Sequence, residues 1–126
     1  MSFCWDNYLQ LAKELLNSSK NNVIKEAYLR TSISRLYYGI FCLARNYLIN
    51  QKNITIPSIN THKFVHDEFN NSQDTNEKLI GQYLLNLWRY RKKADYDDNY
   101  PISYNSTKNI HAFTNFALNT IQQLQP

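Results

Sequence analysis

The chain has 126 residues, of which 43% are hydrophobic; that is enough for one domain with its own core and too little for two of ordinary size. A formal net charge of +4 and a pI near 9.1 permit a polyanionic partner without selecting one, because clustered cations gain affinity by releasing counterions from a phosphate backbone. Two cysteines, Cys4 and Cys42, exclude a disulfide framework or a thiolate metal knuckle and fit a reducing compartment. No basic leader with an apolar segment opens the sequence, and its longest apolar run, Tyr37 to Ala44, is far too short to cross a bilayer, so a soluble, cytoplasmic protein with no membrane partner is expected.

Only two glycines and three prolines interrupt the chain, which argues against many short strands with tight turns and for an all-α fold. The first helix is predicted over Trp5 to Asn17, with Trp5, Tyr8, Ala12 and Leu15/Leu16 at helical spacing. The polar stretch Ser18-Ser19-Lys20-Asn21-Asn22 ends it, and Asn22 is a candidate cap for the next helix. The second helix, Val23 to Ile49, carries a main stripe of Ile33, Leu36/Tyr37, Ile40, Leu43/Ala44 and Tyr47. Leu29, Ser32, Tyr38, Phe41, Cys42 and Leu48 add a second face, which predicts a central helix touching several neighbours. A linker around Pro57 leads to a short helix from Thr61 to Phe69. The fourth runs from Glu77 to Ala94, and the fifth from Ser106 to Leu124 with Ile110, Phe113, Ala117, Ile121 and Leu124 inward. Short connections predict one domain over residues 1–126, an antiparallel bundle of four main helices plus one short extra helix.

The densest chemistry lies in Leu87-Trp88-Arg89-Tyr90-Arg91-Lys92-Lys93-Ala94-Asp95-Tyr96-Asp97-Asp98, where four cations, three carboxylates and two tyrosines close an otherwise apolar helix. Ile80, Leu84 and Leu87 set the inward stripe, and Arg91 falls on its next position, where an arginine must be paired or functional. Two readings stay open. Asp95, four residues on, offers an ordinary intrahelical ion pair beside a helix C-terminus; alternatively, Arg91 marks a site at the end of the bundle. Arg30, Ser34, Tyr38 and Arg45 recur along one side of the second helix and could present a polar seam toward Arg91 or simply pack the bundle.

His62 and His66 are four apart and could face one way, as a metal pair or as a base for a site formed elsewhere in the fold, but no third ligand has a convincing position. No metal and no cofactor is expected. His111, beside Ile110 with no motif around it, is expected to be exposed. The Gly-rich phosphate loop, the Gly-x-Ser-x-Gly elbow, the Cys/His nucleophile signature and the His-Glu-x-x-His helix are all absent from the sequence.

Four segments carry a family resemblance: Met1-Ser2-Phe3-x-Trp5-x-x-Tyr8-Leu9-x-Leu11-Ala12-x-Glu14-Leu15, Leu29-Arg30-Thr31-Ser32-Ile33-Ser34-Arg35-Leu36-Tyr37-Tyr38, Phe41-Cys42-Leu43-Ala44-Arg45 and Arg91-Lys92-Lys93-Ala94-Asp95-Tyr96. Together they resemble HEPN-domain proteins, in particular a small bacterial and archaeal branch with Ser-Arg-x-Tyr-Tyr and Lys-Ala-Asp-Tyr motifs, over roughly residues 1 to 118.

The resemblance implies a helical bundle, a homodimer and, in many members, a toxin paired with a small nucleotidyltransferase antitoxin. It also implies metal-independent endoribonuclease activity from an arginine and a histidine separated by four to six intervening residues. This chain departs there, because Tyr96, Asp97 and Asp98 stand where the histidine would follow Arg91. Carried over residue by residue, Arg91 would hold the scissile phosphate, Asp95 would orient it and Tyr96 would line the pocket. Arg89, Lys92, Lys93, Arg35 and Arg45 would contact RNA or a nucleotide, and tyrosines would stack bases. The expectation is an RNA- or nucleotide-binding component of a toxin–antitoxin or defence system, with or without cleavage. The alternative is a non-catalytic dimeric module for binding or assembling a partner protein.

Overall fold

The computed structural model describes residues 3–125; Met1 and Ser2 of the opening motif, and Pro126 at the end of the expected domain, lie outside the described residues. Five helices follow one another, α1 (Asp6–Ser18), α2 (Lys25–Lys52), α3 (Thr61–Asn70), α4 (Thr75–Tyr96) and α5 (Tyr104–Leu124), and no strand occurs among the described residues. None of the helices is long and apolar enough to cross a membrane.

The helix ends follow from local chemistry. Asp74 caps α4 by accepting the Glu77 backbone N–H at 2.9 Å, and Ser103 caps α5 in a reciprocal box with Ser106, so each helix begins two residues before its expected start. Asn22 turns its side chain to the Ile24 N–H just ahead of α2. At the far end, Asn53 takes a left-handed conformation with φ of 54°, and its N–H and that of Ile54 both return to the Leu48 carbonyl. An asparagine tolerates that region better than most residues. The Asn53 turn thus closes α2 at Lys52, three residues past its expected end.

α2 packs against all four other helices, as its two apolar faces require. Its Ile33, Leu36, Tyr37, Ile40, Ala44 and Leu48 are buried with Ala12 of α1, Val65 and Phe69 of α3, Ile80, Leu84 and Leu87 of α4, and Ile110, Ala117 and Ile121 of α5. Both glycines sit at close helix approaches. A Cβ on Gly39 would meet the Leu9 side chain of α1 at 2.6 Å, and one on Gly81 would collide with the Asn70 side chain and stand 3.0 Å from its backbone nitrogen.

A buried carboxylate is fully hydrogen-bonded between the helices. The Glu77 carboxylate, 5% exposed, accepts Tyr47 Oη at 2.6 Å, Ser72 Oγ at 2.6 Å and Lys52 Nζ at 3.1 Å, which ties α2, the α3–α4 turn and α4 together. Burial alone would raise its pKa, but hydrogen bonds from Ser72, Tyr47 and Lys52 outweigh that and hold it below the usual value.

Candidate functional site

The polar seam on α2 meets the last turn of α4. Arg30 donates through Nη1 to the carbonyls of Lys93 and Ala94, at 3.2 and 2.8 Å, in the last turn of α4, where the helix dipole favours a cation. One turn on, buried Ser34 donates to Asp95 Oδ2 at 3.3 Å. One further turn on, the Tyr38 ring receives the Arg91 guanidinium 5.1 Å from its centroid. Arg45, the fourth residue of the expected seam, lies elsewhere: it stacks on Trp5 and donates to Asn46.

Arg91 continues the buried stripe of α4, and its side chain is only 16% exposed. Its Nε donates to Asp95 Oδ2 at 2.9 Å, its Nη2 reaches Tyr96 Oη at 3.4 Å, and it stands over the Tyr96 ring as well as that of Tyr38. Arg91, Asp95 and Tyr96 are thus together, with Tyr96 mostly exposed. Arg35 shares the Tyr38 ring at 5.1 Å, faces Tyr8 at 4.9 Å and donates to Ser34 Oγ. Its Nε is buried without a hydrogen-bond partner. Two guanidinium groups therefore flank one tyrosine, which concentrates positive charge at the seam.

The remaining cations distribute around α4. Lys92 is exposed, with its Nζ 4.2 Å over the Trp88 ring. Arg89 and Lys93 are exposed too, but each is two positions from Arg91, about 200° round the helix, so the cluster read from sequence is not one surface.

The residues that spacing alone left undecided are on α3. Its two histidines converge on a single hydroxyl: Tyr37 Oη lies 2.7 Å from His62 Nδ1 and 3.0 Å from His66 Nε2. The His62 ring stacks on Phe41, centroids 4.0 Å apart and 11° from parallel, and the His66 ring meets Trp88 edge to face. Their i,i+4 spacing signalled a common face, whereas their partner comes from another helix. No group of three or more His, Cys, Asp or Glu side chains among the described residues is placed to hold a metal ion.

This crevice shifts Tyr37 and both α3 histidines from their ordinary pKa values. Burial pushes the Tyr37 phenol well above its ordinary pKa, with neighbouring Tyr38 adding to the rise and Arg91 opposing it. Burial lowers His62, and the charge of Arg91 lowers it further, which places the arginine in electrostatic reach of the imidazole. His66 is lowered to about 4, chiefly by burial and then by His62, against a smaller opposing pull from Asp67. Both rings are therefore neutral at pH 7 and able to accept a proton. A hollow of about 360 Å³ opens beside them, lined by His62, His66, Trp88, Leu85, Lys63 and Asn70 among others.

His111 is not the exposed residue its sequence context suggests. Its Nε2 lies 2.7 Å from Ser32 Oγ, which is itself fully buried and donates to the Ala12 carbonyl at 2.7 Å. With the serine proton committed to that carbonyl, the imidazole must donate, so this pair joins α1, α2 and α5 and supplies no nucleophile. Burial, and then Lys13, lower the His111 pKa to about 4.

No protein-family model matches this chain, and comparison with curated proteins and with solved structures returns no match.

Proposed function

We propose that this protein is a HEPN-like, metal-independent endoribonuclease of a toxin–antitoxin or defence system, in which His62 stands in for the histidine missing after Arg91. The observation that carries the reading is the convergence of Arg91 and a neutral imidazole beside the same pair of α2 tyrosines. Arg91 supplies charge for a phosphate as it becomes a phosphorane, and Asp95 orients it. His62 takes or returns a proton at the ribose hydroxyl, a role to which a neutral imidazole is suited. Lys92 and Arg35 extend the positive surface, and Trp88 offers a face for a base.

The helices fit an antiparallel bundle of α1, α2, α4 and α5 with α3 as the extra element, the arrangement that the resemblance implies. A homodimer is part of the proposal, supported by large apolar side chains left exposed, among them Leu11, Val23, Ile24 and Phe116. A nucleotidyltransferase antitoxin as partner rests on the resemblance alone. A second reading, a non-catalytic module for binding or assembly, is favoured by one observation: the Arg91 guanidinium is engaged by Asp95 and Tyr96 of its own helix.

The test is incubation of the purified protein with labelled single-stranded RNA in the presence of a chelator. Cleavage is expected, with His62→Ala and Arg91→Ala each slowing it by about a hundredfold or more. RNA that is bound but left intact would select the second reading, and the absence of both binding and cleavage would defeat the RNA proposal.

A further inference from the structure

We propose that Tyr37 joins His62 and His66 into one proton relay, with His62 Nε2 and His66 Nδ1 as its two ends. This deepens the ribonuclease reading and rests on it for its substrate, but its geometry stands separately. A phenol has one proton to donate and lone pairs to accept with. Tyr37 Oη has two imidazole nitrogens within 3.0 Å. It donates to one of them and accepts an N–H from the other, because two facing lone pairs repel and two facing N–H groups would leave the buried phenol proton without an acceptor.

Two arrangements satisfy this rule. In the first, Tyr37 donates to His62 Nδ1 and His66 donates from Nε2, so both rings are protonated on Nε2. In the second, Tyr37 donates to His66 Nε2 and His62 donates from Nδ1, so both are protonated on Nδ1. The two histidines therefore share one tautomer at any moment. The rest of the crevice leaves the rings neutral: burial and Arg91 of α4 lower His62, burial and His62 lower His66 against a smaller opposing pull from Asp67, and the Tyr37 phenol is held above its ordinary range by burial.

The ends of the relay are open. Among the described residues neither His62 Nε2 nor His66 Nδ1 bonds another protein atom, and neither is among the buried polar atoms lacking a partner, so both reach solvent. Both rings also border the hollow lined by Trp88 and Lys63. Starting from the second arrangement, His62 Nε2 accepts a proton and its Nδ1 proton passes to Tyr37 Oη. The phenol proton passes to His66 Nε2, and His66 releases its Nδ1 proton. At RNA the proton taken up is that of the 2′-hydroxyl, whose oxygen bonds to phosphorus; the proton released goes to the 5′-oxygen as its bond to phosphorus breaks. One proton enters, one leaves, and no oxidant or metal takes part.

The experiment reads tautomers directly, through long-range ¹H–¹⁵N correlation of the histidine rings at pH 7.5 in the wild type and Tyr37→Phe. Equal Nε2–H fractions in His62 and His66 are expected in the wild type, with Tyr37→Phe changing the fractions and separating them. Unequal fractions in the wild type, or ring signals indifferent to Tyr37→Phe, would overturn the relay. If the phenylalanine variant loses its helical circular dichroism, His66→Gln serves instead, and the His62 tautomer should change on losing its coupled partner. In the RNA assay, Tyr37→Phe and His66→Gln should each slow cleavage at least about tenfold. Matched tautomers in a protein that leaves RNA intact would remove the ribonuclease reading and leave the relay standing.

Discussion

Replacing Arg91 with alanine separates a binding role from a structural one, because the structure sets the size of each. On the structural side the variant loses an i,i+4 ion pair to Asp95, of a kind worth about 0.3–0.5 kcal/mol. It also loses two contacts with the Tyr38 and Tyr96 rings, each worth about 0.5–1 kcal/mol. The fold should weaken by roughly 1–2.5 kcal/mol, visible as a lower urea midpoint with the helical signal retained. On the binding side, a charge-assisted phosphate contact is worth about 1.5–3 kcal/mol, so single-stranded RNA should bind roughly ten- to a hundredfold more weakly by fluorescence anisotropy. The plot of log affinity against log salt should become shallower by about 0.7, the slope of one lost phosphate neutralisation on a single strand. Arg91→Lys should keep the salt slope while losing the fork geometry. An Arg91→Ala protein with unchanged RNA affinity and slope but a lower melting temperature would refute the reasoning and leave the arginine as a structural partner of Asp95.

Two further outcomes test the fold and its polar contacts. Gly81→Ala should destabilise the protein by about 1–3 kcal/mol in urea unfolding, because its new methyl must displace Asn70 at the end of α3, backbone as well as side chain; an unchanged midpoint would mean that α3 and α4 do not approach so closely. Stability should also fall between pH 7 and pH 5, before carboxylates titrate. His66 and His111 have folded pKa values near 4 against about 6.5 unfolded, so over that range the unfolded chain binds more protons and acid favours unfolding. Partial exposure to water trims the effect to about 1 kcal/mol for each ring, and His62, also lowered by burial and Arg91, acts in the same direction. A flat urea midpoint from pH 7 to pH 5 would show that these rings titrate as freely as in the unfolded chain.

The helices were legible because their apolar stripes repeat at helical spacing, and the α4 stripe already marked Arg91 as inward facing. The starts of α4 and α5 were missed by two residues because Asp74 and Ser103 act through side-chain caps that hydrophobic periodicity does not register. The placement of His111 left no local signal: Thr107 and Thr114, four before and three after it on the same face of α5, are polar in sequence, and only the fold buries them. The Tyr37 contacts were beyond local reading, since the segment from Asn53 to Asn60 decides where α3 lands, and only that placement brings His62 and His66 to a hydroxyl on α2.

The site exists because α2 carries two adjacent faces with different polar duties. Arg30, Ser34 and Tyr38, spaced by four, contact the last turns of α4 through its carbonyls, Asp95 and Arg91. Tyr37 and Phe41, also spaced by four, meet the α3 histidines instead. Tyr37 and Tyr38 are consecutive, so the two faces are offset by only about 100°, and a single turn of one helix sets the imidazoles beside the guanidinium. Neither α3 nor α4 needs to contribute both groups. On the proposed reading a different helix supplies the histidine absent from the end of α4 while the arginine keeps its place, and the motif spacing along α4 alone would not reveal it.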